Sequence, residues 1–125
     1  MDFKIELVTI PVSDVDRAID FYVNKAGFAL DHDHRVSDDL RFVQITPPGS
    51  ACSIVLGTGI TDKAPGSQPG IQVVVADAEA ARKELLARGV ECTDVDQQAW
   101  GNFVYFTDPD GNPWSVQAIP SRPNG

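Results

Sequence analysis

The two histidines of the chain are the residues whose type and spacing most directly suggest chemistry. His32 and His34 are separated by one residue, so both imidazoles lie on the same face of an extended strand. Imidazole binds borderline divalent metals, and histidine is also the side chain whose ordinary pKa falls in the physiological range. The pair could therefore chelate a metal or supply a general base, and the alternative is a solvated feature of an edge strand.

Tyrosine, cysteine and the aspartate-rich turn are the other residues that could carry chemistry. Tyr105 could donate a hydrogen bond or act as an acid, although an inward tyrosine is more commonly an aromatic wall with a polar tip. Cys52 and Cys92 are too few and too far apart for a disulfide framework or a thiolate zinc site, so we expect reduced core thiols. Residues 108–112 (DPDGN) lack the spacing of a calcium loop and predict a turn.

Composition excludes several classes of protein. The chain has 125 residues, of which 42% are hydrophobic, and a formal net charge of -8, which is typical of one globular domain with a genuine core. The acidic excess argues against nucleic acid and against an anionic membrane surface as partners. Residues 1–6 carry charges where a signal peptide needs an apolar run, and no segment approaches the roughly 18 apolar residues of a membrane span. We therefore expect a cytoplasmic protein.

The elements that must position these residues form an internal repeat. Residues 7–14 (LVTIPVSD) resemble residues 70–77 (GIQVVVAD), and each segment runs into a helical pattern that ends at a glycine. In the same order, residues 42–46 resemble residues 103–107. Each half of the chain therefore predicts a strand, a helix and three further strands.

Cap residues, glycines and prolines set the expected bounds of these elements. We expect a single domain over residues 1–125, made of module 1 (about 5–57), a linker (about 57–70), module 2 (about 70–119) and a tail (120–125). The predicted helices cover residues 15–26 and 78–88, and the strands that follow them cover residues 28–34, 40–46, 52–56, 90–94, 102–107 and 113–118.

Two segments carry a resemblance to a known family. Residues 12–22 (VSDVDRAIDFY) and 106–112 (FTDPDGN), set in two β-α-β-β-β modules, resemble the vicinal oxygen chelate superfamily of glyoxalase I, bleomycin-resistance proteins and extradiol dioxygenases. The resemblance covers about residues 5 to 119. It implies an α+β fold in which two tandem βαβββ modules form a curved mixed sheet around a cavity, with the helices outside. It also implies a homodimer, whose cavities form within one chain or between chains.

The resemblance further implies four positions at which family enzymes place metal-ligating His and Glu. Carried over by register, these positions hold Leu7, Ile54, Gly70 and Ser115. Leucine and isoleucine have no ligating atom, glycine has no side chain, and a lone serine hydroxyl is a poor ligand. We therefore expect neither a metal nor another cofactor at the family site.

Strand alternation predicts which side chains line the cavity, although a slip of one residue would invert any strand of the set. The alternate side chains of each strand, such as Val43, Val104 and Trp114, are expected to point away from the cavity and to face the helices. The cavity set combines aromatic walls with neutral polar groups, which is typical of a pocket for a planar or amphipathic organic molecule. Its members are Leu7, Thr9, Phe42, Gln44, Ile54, Gln72, Trp100, Phe103, Tyr105, Ser115 and Gln117.

Two classes of function follow from this reading. The first is a metal-independent protein that binds a small molecule, with sequestration of an antibiotic or a metabolite as its role. The second is an enzyme, namely a metal-free isomerase, cyclase or lyase in which Tyr105, His32 or His34 handles protons. A metal-dependent glyoxalase or dioxygenase would require a different register.

Overall fold

The computed structural model describes residues 1–119, which form eight strands and two helices, the first of which changes its pitch. In chain order these are β1 (Leu7–Thr9), α1 (Val15–Ile19) with a π-helical continuation (Asp20–Lys25), β2 (Ala29–Ser37), β3 (Leu40–Thr46), β4 (Ser53–Thr58), β5 (Ile71–Val75), α2 (Ala78–Ala87), β6 (Asp96–Gln98), β7 (Gly101–Thr107) and β8 (Pro113–Ala118).

Each half of the chain forms its own four-stranded mixed sheet. The strand orders are β1-β4-β3-β2 and β5-β8-β7-β6, so the two sheets repeat one topology. In the first sheet β1 runs parallel to β4, and in the second β5 runs parallel to β8. All other neighbouring strands are antiparallel. The predicted α+β fold of two βαβββ modules is confirmed. The predicted tail lies outside the described residues, and neither helix within residues 1–119 has the length and apolar character needed to cross a bilayer.

Both helices begin at an aspartate. The sequence offers Ser13 or Asp14 as the cap of the first helix and Asp77 as that of the second, and the caps are Asp14 and Asp77. The Asp14 carboxylate accepts a hydrogen bond from the Arg17 amide at 3.0 Å, and the Asp77 carboxylate accepts one from the Ala80 amide at 3.1 Å. These bonds satisfy amides that the first turn of a helix leaves without partners. The repeat therefore extends to the capping chemistry of the two modules.

The prediction of a strand over residues 90–94 is wrong in position, because the strand that follows α2 is β6, at Asp96–Gln98. The α2 helix ends with Gly89 at a φ of +87°, and the Val90 amide donates back to the Leu85 carbonyl at 2.9 Å. Val90 thus belongs to the helix cap and packs in the core, where it is 2% exposed. The chain becomes a regular strand only after this cap is complete.

One hydrophobic core joins the two modules. The Phe21 ring lies 6.1 Å from the Phe106 ring, and the Tyr22 ring lies 5.7 Å from the Trp114 ring, so the first helix contacts the second sheet. We call the helix-covered side of each sheet the core face and the other side the open face. The strand residues of the core face include Val43, Ile45, Ile54, Leu56, Val104, Phe106, Trp114 and Val116.

A buried hydrogen-bond network lies at the centre of this core. The Tyr22 hydroxyl donates to the Asp108 carboxylate at 2.8 Å and accepts from the Trp114 indole at 3.0 Å. The Asn112 amide group donates to the same carboxylate at 2.7 Å and to the Pro11 carbonyl at 2.9 Å. Burial, and then the neighbouring Asp108, raise the pKa of Tyr22, so its hydroxyl keeps the proton that it donates. The predicted DPDGN turn is therefore also the joint between the modules.

A second polar network ties the first helix to the first sheet. Arg41 is 8% exposed on the core face of β3, and its guanidinium donates to Asp33 at 2.9 and 2.8 Å and to Asp16 at 2.9 Å. The hydrogen bonds from Arg41 lower the pKa of Asp33. This bidentate geometry is the form in which an arginine and a carboxylate pair most strongly.

Tyr22→Phe tests the buried network. We expect it to lower the free energy of unfolding by about 1–3 kcal/mol, because it leaves the Trp114 donor and one site on the Asp108 carboxylate without a partner. Urea unfolding followed by circular dichroism measures the change. Tyr105→Phe is the matched control, since Tyr105 is exposed and its loss of a hydroxyl should cost less than about 0.5 kcal/mol. Equal effects of the two substitutions would contradict the conclusion that the buried hydrogen bonds of Tyr22 stabilise the fold.

Arg41→Gln tests the second network through the pKa of Asp33. Removing the guanidinium should return this pKa toward its ordinary value of about 3.9, as measured by carboxyl carbon NMR. Since the folded-state pKa lies below the unfolded one, the pair stabilises the fold above the unfolded pKa and loses this contribution as the pH falls through the folded pKa. The stability difference between wild type and variant should therefore shrink on acidification. Arg35→Gln, which leaves the hydrogen bonds of Asp33 intact, should shift the pKa less.

Candidate ligand-binding site

The open face of the second sheet carries an aromatic pair flanked by amides. Phe103 and Tyr105 alternate along β7, and their rings lie parallel with centroids 6.0 Å apart. The Gln72 amide group donates to the Gln117 side-chain oxygen at 2.7 Å, and the Gln117 amide group donates to the Trp100 carbonyl at 3.2 Å. Predicted site residues of the second module thus lie together on one surface.

Tyr105 provides the accessible part of this aromatic surface. It is 36% exposed, whereas Phe103 is 6% exposed. The Tyr105 hydroxyl donates to the Asp96 carboxylate at 3.0 Å, and partial desolvation followed by Asp96 raises the pKa of Tyr105. The hydroxyl therefore stays protonated and suits hydrogen-bond donation better than proton abstraction. Sequence reasoning missed Asp96 because it placed the neighbouring strand too early in the chain.

A shallow depression of about 400 Å³ adjoins Tyr105. It lies between the β7–β8 hairpin and the segment that follows α2, and its lining includes Ser115, Thr93 and Cys92. Burial raises the pKa of the Cys92 thiol, so this cysteine is held away from the thiolate form that nucleophilic chemistry needs. Cys52 and Cys92 are both free and half-buried.

The open face of the first sheet carries Leu7, Thr9, Phe42 and Gln44, followed by a chain of polar contacts that the sequence did not predict. The Gln44 amide group donates to the Ser53 hydroxyl at 3.4 Å, and the hydroxyls of Ser53 and Thr46 lie 2.6 Å apart. The Thr46 hydroxyl in turn donates to the Asp31 carboxylate. Alternation along β3 would have signalled Thr46, since it shares the parity of Phe42 and Gln44.

The two histidines lie on the same open face, on strand β2. His32 pairs with Gln44 and His34 pairs with Phe42 in the antiparallel register. Their imidazole rings are stacked, with centroids 5.7 Å apart and planes 19° from parallel. Both residues are exposed, so solvent reaches the rings.

The expected position of Ile54 on the cavity side is wrong. Ile54 pairs with Ile45 across β3 and β4 and is 3% exposed in the core. Val55 pairs with Gln44 as Ser115 pairs with Tyr105, so Val55 takes the symmetry-related position on the open face. The connection from β3 to β4 is one residue longer than that from β7 to β8. Matching the two modules residue by residue therefore assigns each β4 side chain to the wrong face of the sheet.

The side chains at the corrected family positions do not fit a metal. These positions hold Leu7, Val55, Gly70 and Ser115, which together offer one hydroxyl and no imidazole, thiolate or carboxylate. Within residues 1–119, no three or more His, Cys, Asp or Glu side chains gather closely enough to hold a metal ion.

The two open faces are separate surfaces in a single chain. Among residues 1–119, no side-chain hydrogen bond or aromatic contact joins one open face to the other. Trp100 is 66% exposed beside the second open face. A cavity of about 280 Å³ does lie between the modules, but on the core side, where it is lined by residues such as Phe28, Val73 and Leu85 and by none of the predicted site residues.

Comparison with known proteins places this architecture in a family. Residues 4–116 match the Glyoxalase/Bleomycin resistance protein/Dioxygenase superfamily. The structure of TnmS3, an antibiotic binding protein from Streptomyces sp. CB03234, is 33% identical with a TM-score of 0.85, and the match covers 95% of this chain and 98% of that one. A superfamily member from Sphaerobacter thermophilus DSM 20745 is 34% identical with a TM-score of 0.80, covering 93% and 97%.

Two sequence relatives extend the comparison. The protein YetH of Bacillus subtilis is 28% identical over 113 residues, covering 87% of this chain and 92% of the relative. A protein of Shewanella frigidimarina is 31% identical over 119 residues, covering 87% and 88%. The family match over almost the whole chain agrees with the two sheets, their shared topology and their open faces. This chain belongs to the glyoxalase/bleomycin resistance protein/dioxygenase superfamily.

Proposed function

We propose that this chain is a metal-independent binding protein that holds a planar or amphipathic organic molecule on its open faces. Its role in this proposal is to sequester an antibiotic or a metabolite without changing it. The observation that carries the proposal is the parallel Phe103 and Tyr105 pair, with the linked amides of Gln72 and Gln117 beside it. A flat aromatic wall next to a few neutral hydrogen-bonding groups suits a planar ligand.

The similarity to TnmS3 supports the same kind of ligand. That protein is an antibiotic binding protein, and it shares a third of its sequence and nearly its whole length with this chain. A shared fold in this superfamily does not specify chemistry, so the side chains of the open faces determine what the chain can bind. Those side chains are mostly neutral, which favours an organic ring system over a phosphate.

The side chains at the family metal positions support a function that does not use a family metal. Leu7, Val55 and Gly70 cannot ligate, and the Ser115 hydroxyl alone is a weak ligand. Tyr105 is held protonated and donates its one hydroxyl proton to Asp96, so its oxygen can accept a hydrogen bond from a hydroxyl or amide group on a ligand. Each of these features serves binding, and none supplies a base or a Lewis acid.

A second copy of the chain completes the site in this proposal. In one chain the two open faces have no side-chain contact with each other, and Tyr105 and Trp100 remain exposed. Covering these side chains with the open face of a partner would remove aromatic surface from water and enclose the ligand between two walls. A two-fold homodimer is the commonest arrangement for such a pair.

Ligand binding is tested by thermal shift and calorimetry against a panel of planar aromatic antibiotics. A true ligand at a hundred times its dissociation constant should stabilise the fold by about 2.7 kcal/mol. Tyr105→Ala should then weaken binding about three- to tenfold, which corresponds to the loss of one aromatic contact. Tyr105→Phe keeps the ring and should lose less, and Leu86→Ala, on the exposed side of α2, should lose nothing.

Tryptophan fluorescence and mass spectrometry separate binding from catalysis. Trp100 is exposed near the site and Trp114 is buried in the core, so a bound ligand should quench the wild type and leave Trp100→Phe nearly unchanged. The ligand recovered after incubation should have its original mass. A new mass that appears at a rate proportional to the protein concentration would identify an enzyme and contradict sequestration.

The oligomeric state is tested by sedimentation. We expect a dimer at micromolar concentration, with two ligand sites per dimer when calorimetry is performed on the same sample. Trp100→Asp, which adds a charge beside the second open face, should weaken the dimer. Only monomers at these concentrations, with unchanged ligand affinity, would contradict a site shared between copies.

A further inference from the structure

We propose that His32 and His34 form a two-imidazole chelating site for a borderline divalent metal ion. The site binds Ni²⁺ and Cu²⁺ most strongly and Zn²⁺ more weakly. The site lies on the open face of β2, away from the four family positions, and it does not depend on the proposed function. The inference rests on the register, spacing and exposure of the only two histidines in the chain.

The strand geometry brings both imidazoles to one side of the sheet. His32 and His34 stand opposite Gln44 and Phe42 on the neighbouring strand, and their rings lie 5.7 Å apart and nearly parallel. Metal–imidazole bonds are about 2.0–2.1 Å long, so one ion between the rings needs each ring to turn inward about its side-chain torsions. Such rotation is available because both side chains are exposed and neither imidazole has a hydrogen-bond partner among residues 1–119.

The surroundings suit a cation that keeps open coordination positions. The side chain facing His32 is the neutral Gln44, whose carbonyl oxygen offers a third ligand atom on the adjacent strand. The apolar Phe42 stands opposite His34 in the same register. Two imidazoles occupy two positions of a metal that takes four to six, so the rest remain for Gln44 and for water.

The donor type selects the metal. Imidazole favours copper, nickel and zinc, and the order of affinities among divalent ions places Cu²⁺ highest. Mg²⁺ prefers several oxygen ligands in an octahedral arrangement, which this pair does not offer. The carboxylates of the nearby β2–β3 turn, Asp38 and Asp39, provide the competing site from which the chelate must be distinguished.

The test is calorimetric titration of untagged full-length protein with Ni²⁺. We expect one ion per chain, and a loss of affinity of about tenfold or more in each of His32→Ala and His34→Ala, at least as large as the loss of a single supporting interaction at a metal site. Asp38→Asn/Asp39→Asn should bind Ni²⁺ as the wild type does, and Mg²⁺ should not compete. Because the histidines are exposed, these variants should keep the wild-type circular dichroism spectrum.

NMR of the imidazole groups gives a second measurement. The chain should show two imidazole signals, and substoichiometric Ni²⁺ should broaden both to the same extent. Three outcomes would overturn the proposal: wild-type protein that does not bind Ni²⁺, single histidine variants that bind like wild type, or broadening of only one imidazole. A stoichiometry of half an ion per chain is a fourth outcome that would overturn it, because the ion would then lie between two copies.

Discussion

The fold depends on one buried carboxylate. Asp108 is 3% exposed and accepts hydrogen bonds from the Tyr22 hydroxyl, the Asn112 amide group and backbone amides of its own turn. A carboxylate in such a place is tolerable only because its oxygens are bonded on several sides. The groups that donate to it come from both modules, so the hydrogen bonds of this single side chain fix how the first helix packs against the second sheet. The rings of Phe21, Phe28, Phe106 and Trp114 pack beside this network.

This joint determines which surfaces remain for function. The core faces of both sheets pack in one hydrophobic cluster with residues of the helices, and strand alternation places the other half of the side chains on the open faces. Polar and aromatic residues such as Gln44, Gln72 and Tyr105 can therefore be exchanged without disturbing the core. The same scaffold can present different recognition surfaces, which accounts for the breadth of chemistry found on one fold.

The sequence was sufficient for the architecture and for most of the open face. The internal repeat, the capping residues at Ser13 or Asp14 and at Asp77, and the alternating strands predict the fold, because these signals are local and occur twice. The position of Ile54 failed because Ser53 to Leu56 form a short, largely apolar run whose parity does not reveal its buried side, and a longer connection shifted the register. The polar contacts of Ser53, Thr46 and Asp96 depend on strand pairing, which no local pattern encodes.

Strand β2 affects the tendency of copies of this chain to aggregate in solution. It lies at the edge of the first sheet, all nine of its residues are exposed, and one of its sides has no neighbouring strand within the sheet. A long free edge of this kind is a template for the uncontrolled addition of further strands and so for aggregation. Asp31 and Arg35 place charges along this edge, and the net charge of -8 adds repulsion between molecules. The acidic composition thereby acts as a safeguard of solubility for an edge that the topology leaves bare.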